Sequence, residues 1–302
     1  MQLRSIAALY VLLAGAAFAQ RFEDLEDLYR YDRAAPLNVK EKEVGSRGGY
    51  KLYSIEYALP KGGVKTGFLV IPDGSGRRPA IVWIHSTGAM QLLGDAVLMA
   101  RAGATSILVE AGGIRESPEQ SRDSMIADVV GLRRAIDVLE QRNDIDSSRI
   151  GIVGHSYGAM MSAVAVSIDH RFRAAVFEVG LLGMSIHIGT SPHPWAENMR
   201  KELGAGLPHF LEVISAVDAK NYVGRAPAIP KLFQAAWYDP GVPHKDAQDF
   251  FDASTGPKTL KWYDTGHDVD DIAAMADRAR FLGNALRLRS IDRLLREKVA
   301  AH

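Results

Sequence analysis

Short, continuous apolar runs alternate with helical patterns over most of the chain. Ala80–Ile84 (AIVWI) and Ile150–Val153 (IGIV) have no polar position, as in strands that are buried on both faces of a sheet. Between such runs, apolar residues recur at steps of three and four, which indicates the buried side of a helix. The alternation predicts an α/β fold with a mostly parallel central sheet and helices on both faces. The other strands predicted here are Ser106–Val109, Ala174–Val179, Lys231–Trp237 and Thr259–Tyr263, and the helices are Leu92–Ala102, Pro118–Leu139, Ala159–Ile168, Lys245–Ala253 and Asp270–Arg289.

Two parts of the chain depart from this alternation. Tyr50–Leu59 and Thr66–Ile71 alternate apolar and polar residues around a Lys61-Gly62-Gly63 turn, which predicts antiparallel N-terminal strands. Between Gly180 and Ala228 there is no buried-strand pattern, and helical spacing is found instead. We expect this segment, about residues 180–228, to form a small helical cap over the sheet edge; a plain helical crossover with a long loop is the alternative. Its helical stretches are Glu197–Leu203 and His209–Tyr222.

The first nineteen residues have the layout of a secretory signal peptide. Arg4 supplies a positive charge, Ile6–Phe18 is apolar throughout, and Ala17-Phe18-Ala19 resembles a cleavage site. Because a membrane span needs about 20 apolar residues, this run is too short to cross a bilayer. We predict cleavage after Ala19 and a secreted or periplasmic protein, with an uncleaved anchoring helix as the alternative. Residues 20–302 are predicted to form a single domain without a stable membrane span.

The composition excludes several classes of function. Of 302 residues, 47% are hydrophobic, which is enough for a sizeable core. The 36 Lys and Arg residues balance 36 Asp and Glu residues, so we expect no nucleic-acid partner of the kind that is bound by excess positive charge. The chain has no cysteine, which excludes disulfides, thiolate metal sites and cysteine nucleophiles. Its histidines lack the spacing of helical metal ligands, so we expect no metal site.

One short motif indicates covalent catalysis. Gly154-His155-Ser156-Tyr157-Gly158 has the G-x-S-x-G spacing and follows a buried strand directly, with a helix after it. A nucleophile on such a sharp turn needs small residues two positions before and after it. Ser156 is therefore the predicted nucleophile, and the main-chain N–H of Tyr157 is a predicted oxyanion donor. His155 is expected to pack rather than react, because neighbours on a tight turn point apart.

A serine nucleophile needs a histidine base that is oriented by a carboxylate. His267 follows the last predicted strand in a short loop, at the sheet edge where Ser156 is also expected. Asp239 stands just past another strand at that edge, where open parallel sheets build their sites. The predicted set is thus Ser156, Asp239 and His267 in the chain order expected of this architecture. Asp264 and Asp268 are alternatives for the carboxylate, because they are close to His267 in sequence.

Further polar residues are predicted near the same edge. The second oxyanion donor is expected in the loop after the first buried strand, with Thr87 favoured over Ser86, and His85 is expected to support that loop. Glu110 and Glu178 end buried strands, and either face the pocket or accept main-chain hydrogen bonds. The histidines in the predicted cap either touch substrate or are solvated; they are His187, His193 and His209.

With these residues identified, the chain resembles the α/β-hydrolase family, in particular its dienelactone-hydrolase-like and prolyl-oligopeptidase-like branch. The resemblance covers about Tyr50 to Leu288. It rests on HSTG at His85, GHSYG at Gly154, WYDPGVP around Asp239 and TGH at Gly266. Two departures stand out, since dienelactone hydrolases proper use a cysteine, and Ser86 replaces the usual glycine after the first histidine.

This resemblance implies an α/β-hydrolase fold with a Ser156, Asp239, His267 triad and with Tyr157 and Thr87 as oxyanion donors. It also implies hydrolysis of esters, lactones, thioesters or peptides without a cofactor. Our prediction is a secreted serine hydrolase that cleaves a small-molecule ester through an acyl-enzyme. A serine peptidase acting on short peptides and a catalytically silent hydrolase-fold binding protein are the alternatives. The sequence leaves the acyl and alcohol specificity and the oligomeric state open.

Overall fold

A computed structural model describes residues 22–300 of the chain. The predicted signal peptide, residues 1–19, and its cleavage site after Ala19 lie outside the described residues, so export stays a prediction. Within residues 22–300, no helix is both long enough and apolar enough to cross a bilayer.

The strands of residues 22–300 form a nine-stranded sheet. They are β1 Lys40–Arg47, β2 Tyr50–Ala58, β3 Val64–Pro72, β4 Arg78–His85, β5 Thr105–Glu110, β6 Ile145–His155, β7 Phe172–Glu178, β8 Lys231–Ala236 and β9 Lys258–Tyr263. Their spatial order is β1-β2-β3-β5-β4-β6-β7-β8-β9. The pairs β1–β2, β2–β3 and β3–β5 are antiparallel, and the other five pairs are parallel. The predicted α/β-hydrolase fold, mostly parallel with antiparallel N-terminal strands, is confirmed.

Helices cover both faces of this sheet. In the central strand β4, Ala80, Val82 and Ile84 point to one core, while Ile81 and Trp83 point to a second core on the other face. A strand without polar positions is explained by this double burial, because each alternate side chain meets apolar partners. The α-helices within residues 22–300 are α1 Phe22–Asp27, α2 Leu93–Arg101, α3 Pro118–Glu140, α4 Tyr157–Ile168, α5 Met184–Thr190, α6 Pro194–Leu203, α7 Leu207–Ser215, α8 His244–Ala253, α9 Ile272–Leu286 and α10 Ile291–Ala300.

Strand β1 was not predicted, because its sequence has no apolar alternation. It reads KEKEVGSR, and nearly every residue in it is exposed. It lies at the edge of the sheet and is held by main-chain pairing with β2. Charged side chains are common on such edges, since they discourage pairing with another molecule. Burial patterns therefore cannot reveal a strand of this kind.

Two helix predictions were wrong at their C-terminal ends. The predicted helix His209–Tyr222 stops at Ser215, because the buried Asp218 leaves helical geometry and accepts a hydrogen bond from the main-chain N–H of Ser185 at 3.2 Å. The predicted helix Asp270–Arg289 stops at Leu286, where Arg287 adopts a left-handed conformation and closes the helix. A separate helix, α10, then begins at Ile291.

Candidate active site

Ser156 occupies a strained turn between β6 and α4. Its φ of 56° is unusual for a residue with a side chain, and strain of this kind is typical of functional turns. A Cβ on Gly154 would collide with the carbonyl of Gly158, and a Cβ on Gly158 would collide with the carbonyl of Ile84. The two glycines of the motif are thus required by close main-chain approach, as the nucleophile elbow demands.

The structure brings the predicted Ser156, Asp239 and His267 together in a chain of hydrogen bonds. His267 Nε2 lies 2.9 Å from Ser156 Oγ, and His267 Nδ1 lies 2.7 Å from Asp239 Oδ2. The other carboxylate oxygen of Asp239 accepts hydrogen bonds from the main-chain N–H groups of Gly241 at 2.7 Å and Val242 at 2.9 Å. The Asp239 side chain is 1% exposed. The two hydrogen bonds from the turn after β8 therefore fix its orientation.

This arrangement can move a proton away from a serine hydroxyl. An imidazole that donates its Nδ1–H to a carboxylate keeps its Nε2 lone pair for the hydroxyl proton. The buried carboxylate also stabilises the imidazolium that forms. The alternative carboxylates, Asp264 and Asp268, make no hydrogen bond or ion pair with His267 within the described chain.

The two predicted oxyanion donors differ in their surroundings. Tyr157 is the first residue of α4, where main-chain N–H groups have no intrahelical acceptor. The N–H of Thr87 instead donates to Nδ1 of His85 at 3.1 Å, so it serves the turn that follows β4. Its use as the second oxyanion donor therefore stays a prediction, with Ser86 as the alternative. His85 supports this loop, as the sequence suggested.

Three histidines pack together beside Ser156. The ring of His155 stacks on that of His85 at a centroid distance of 4.1 Å, and meets the ring of His267 edge-on at 5.2 Å. Burial lowers the pKa of His85 to about 4 and holds the pKa of His155 well below its ordinary value. Burial also lowers the pKa of His187 in α5 to about 4. The imidazoles of His85, His155 and His187 are therefore neutral at pH 7.

Because the pKa values of His85, His155 and His187 are lowered, we expect the protein to lose stability in mildly acidic solution. A histidine whose pKa is lower in the folded than in the unfolded chain binds fewer protons when folded. The free energy of unfolding should therefore decrease as the pH falls from about 6.5 towards 4, by up to about 1.4 kcal/mol per pH unit for each such histidine. Urea unfolding at pH 7, 6 and 5 measures this decrease.

The matched variants for this experiment are His187→Phe and His170→Asn. Replacing His187 should make the pH dependence shallower, whereas replacing the exposed His170 should leave it unchanged. Equal stability of the parent protein at pH 7 and pH 5 would contradict the prediction.

A cavity of about 470 Å³ adjoins Ser156 and His267. Its walls are mainly apolar and come partly from the segment between β7 and β8, which was predicted to be a cap. Residues from that segment include His187, His193 and Trp195, while His209 is not among them. Further apolar side chains of the wall are Ile114, Met160, Leu181, Met184 and Val242.

An open groove of about 1100 Å³ lies next to this cavity and shares Ile114 and Trp195 with it. Its lining is amphipathic, and the charged side chains exposed in it are mostly acidic. They are Arg115, Glu116, Asp123 and Glu202.

Glu110 and Glu178 do not face the cavity. Glu110 accepts a hydrogen bond from the N–H of Ala89 at 3.0 Å, which is one of the two roles that the sequence left open. Glu178 is buried and forms an ion pair of 2.9 Å with Arg278. That pairing joins β7 to α9, so both glutamates have structural contacts.

A buried carboxylate that was not predicted from the sequence lies beside the elbow. Asp128 on α3 is fully buried and pairs with Lys65 of β3. It also accepts hydrogen bonds from the hydroxyl of Tyr157 at 2.6 Å and from the main-chain N–H of Gly112 at 2.8 Å. The available signal was an aspartate within the apolar part of a long helix, because such a residue is rarely buried unless it is paired.

Within residues 22–300, no group of three or more His, Cys, Asp or Glu side chains is arranged to hold a metal ion.

Comparison with known families gives a match by sequence. The model of the prolyl oligopeptidase family matches residues 123–276, a range that contains Ser156, Asp239 and His267. No curated protein matches the chain by sequence.

Several solved structures share the fold at low sequence identity. The acetyl xylan esterase from Paenibacillus sp. R4 is 18% identical, with 88% of this chain and 93% of that chain covered and a TM-score of 0.74. Acetyl xylan esterase 1 from Thermoanaerobacterium sp. JW/SL YS485 is 17% identical, with coverages of 89% and 94% and a TM-score of 0.70. A puromycin-hydrolysing peptidase from Mycobacterium tuberculosis is 18% identical, with coverages of 84% and 40% and a TM-score of 0.58.

Proposed function

This chain belongs to the prolyl oligopeptidase family, and we propose that it is a serine hydrolase that cleaves carboxylic esters of small molecules. In the proposed reaction, Ser156 Oγ bonds to the ester carbonyl carbon while its proton passes to His267 Nε2. The carbon–oxygen bond of the ester then breaks, and the alcohol leaves with that proton. Water releases the acyl group by the same steps, with His267 again acting as the base.

The remaining roles follow from the same reaction. Asp239 holds the His267 imidazole through Nδ1 and stabilises its protonated form. The Tyr157 N–H and an N–H from the loop after β4, Thr87 or Ser86, stabilise the oxyanion. The observation that carries this proposal is the hydrogen-bond chain from Ser156 through His267 to Asp239, which begins at the cavity.

The character of the cavity favours an ester over a peptide substrate. Among the described residues that line it, none is an aspartate or a glutamate. The charged amino terminus of a short peptide would therefore have no counter-ion there, and burying an unpaired charge is strongly unfavourable. A neutral acyl group has no such requirement. The fold shared with two acetyl xylan esterases supports testing acetyl esters, including acetylated carbohydrates.

A fluorophosphonate probe combined with two substrates tests the proposal. The probe should label the parent protein and should not label Ser156→Ala, because it reacts with an activated serine. The parent protein should hydrolyse 4-nitrophenyl acetate at a far higher kcat/KM than an aminoacyl 4-nitroanilide. An exposed-serine variant, Ser148→Ala, should be labelled as fast as the parent protein. A folded parent protein that is neither labelled nor active would contradict the proposal.

The second candidate function is a serine peptidase. Membership of the prolyl oligopeptidase family favours it, and so do the acidic side chains of the neighbouring groove, since Glu116 and Glu202 could attract a positively charged peptide. A faster reaction with the anilide than with the ester would establish this alternative. Unlabelled, inactive protein that still binds a ligand would instead indicate a silent hydrolase-fold binding protein.

A further inference from the structure

His155 makes a contact that its position in the sequence did not suggest. Its Nε2 lies 2.8 Å from the main-chain carbonyl oxygen of His267, a residue 112 positions further along the chain. The residue next to the proposed nucleophile thus reaches the backbone of the proposed base. His155 is the last residue of the buried strand β6 and is 1% exposed.

The contact determines the protonation of the His155 ring. A carbonyl oxygen can only accept a hydrogen bond, so Nε2 must carry a hydrogen. Nδ1 is buried and has no hydrogen-bond partner among the described residues. A second hydrogen there would be an unsatisfied buried donor, which is unfavourable. His155 is therefore neutral with its hydrogen on Nε2, in agreement with its lowered pKa.

The other main-chain hydrogen bonds of the loop that carries His267 lie before and after this residue within residues 22–300. The loop is exposed or half-buried from Asp264 to Asp268, and a Cβ on Gly266 would meet no atom within 4 Å. Within residues 22–300, its other main-chain hydrogen bonds lie on either side of His267: Thr265 N–H donates to Tyr263 at 2.9 Å, Tyr238 N–H donates to Thr265 at 3.1 Å, and Val269 N–H donates to Gly266 at 3.3 Å. Among the described residues, only His155 donates a hydrogen bond to the carbonyl of His267 itself.

We propose that His155 is a positioning residue, whose Nε2–H holds the main chain of His267 so that its imidazole stays within reach of Ser156. Stacking on His85 holds the His155 ring in place from its other side. The rigid end of the sheet thereby fixes both the nucleophile and the loop of the base. This inference rests on the proposed hydrolase function, because it assigns His155 a role in that reaction.

A matched pair of amide variants tests the proposal. In His155→Gln the side-chain amide lies near the position of Nε2 and can still donate to the carbonyl, whereas in His155→Asn it lies near Nδ1 and cannot. We expect kcat for an acetate ester to fall about 10- to 100-fold in the Asn variant and at most about threefold in the Gln variant, since small errors in position reduce rates this much. KM should change by less than about twofold in both.

A purely structural role for His155 would give a different result. Both variants remove the stacked ring, so a structural role predicts equal losses of activity that follow the loss of thermal stability. Equal kcat values in the Gln and Asn variants would therefore overturn the proposal. If the Asn variant does not fold, His155→Phe replaces it, because the phenyl ring keeps the stacking but cannot donate.

Nitrogen NMR of the histidine side chains separates this proposal from the proposed function. The spectrum reports directly whether Nδ1 or Nε2 of His155 carries the hydrogen, and it requires no turnover. We expect the Nε2–H form in the parent protein at pH 7. A protein with this form but without hydrolase activity would refute only the function, whereas an Nδ1–H form would refute the role of His155.

Discussion

Replacing Ser156 by Ala, His267 by Ala, or both together is expected to lower kcat for ester hydrolysis by one and the same factor, about 10⁴ to 10⁶. The two side chains act as a unit, since the serine is not nucleophilic without the base and the base has no proton to take without the serine. Losses that arise from one shared step do not add. Steady-state kinetics of the two single variants and the double variant measure this directly.

Replacing Asp239 by Asn should produce a loss of about 10⁴-fold by a related mechanism. The amide can donate a hydrogen bond to His267 Nδ1, which favours the imidazole form that carries its hydrogen on Nε2. That nitrogen then cannot accept the serine proton. The exposed His170→Ala variant, which is remote from the proposed reaction, is the control for all of these changes.

Additive losses would contradict this account. If the double variant lost the product of the two single factors, Ser156 and His267 would be acting in separate steps. Thermal unfolding of each variant shows whether the fold is retained, and we expect unfolding temperatures close to that of the parent protein.

The central part of the fold was predictable because its strands are buried on both faces. A strand such as β4 needs apolar residues at consecutive positions, so its sequence is distinctive. The edge strand β1 is held by main-chain pairing and has exposed side chains, so its sequence carries no comparable signal. The helix ends at Ser215 and Leu286 depend on single residues, Asp218 and Arg287, whose local conformation hydrophobic patterns do not report.

The three residues of the hydrogen-bond chain could be predicted because topology places them at one sheet edge. Ser156, Asp239 and His267 each follow a parallel strand at its C-terminal end, and that edge is where such sheets form their sites. Hydrogen bonds between side chains and distant parts of the main chain were not predictable in the same way. His155 was expected only to pack, since nothing in the sequence indicates a hydrogen bond to a carbonyl 112 residues away.

The buried ion pair of Lys65 and Asp128 is another contact that the sequence did not indicate. We expect it to have a large effect on stability. Both side chains are almost completely inaccessible, at 9% and 0% exposure. Asp128 also accepts hydrogen bonds from the N–H groups of Gly112 and Gly113 and from the Tyr157 hydroxyl. The carboxylate thereby joins α3 to β3, to the loop after β5 and to the first residue of α4.

Replacing Asp128 by Asn is expected to lower the free energy of unfolding by about 3–5 kcal/mol, because it leaves the Lys65 ammonium buried without a counter-ion. Replacing Lys65 by Met in the same chain removes that unpaired charge. The double variant Lys65→Met, Asp128→Asn should therefore be more stable than Asp128→Asn alone, and urea unfolding of the four proteins gives the coupling energy. If the double variant were destabilised by the sum of the two single losses, the ion pair would contribute nothing. The destabilisation would then come from the hydrogen bonds that Asp128 makes to the loop and to Tyr157.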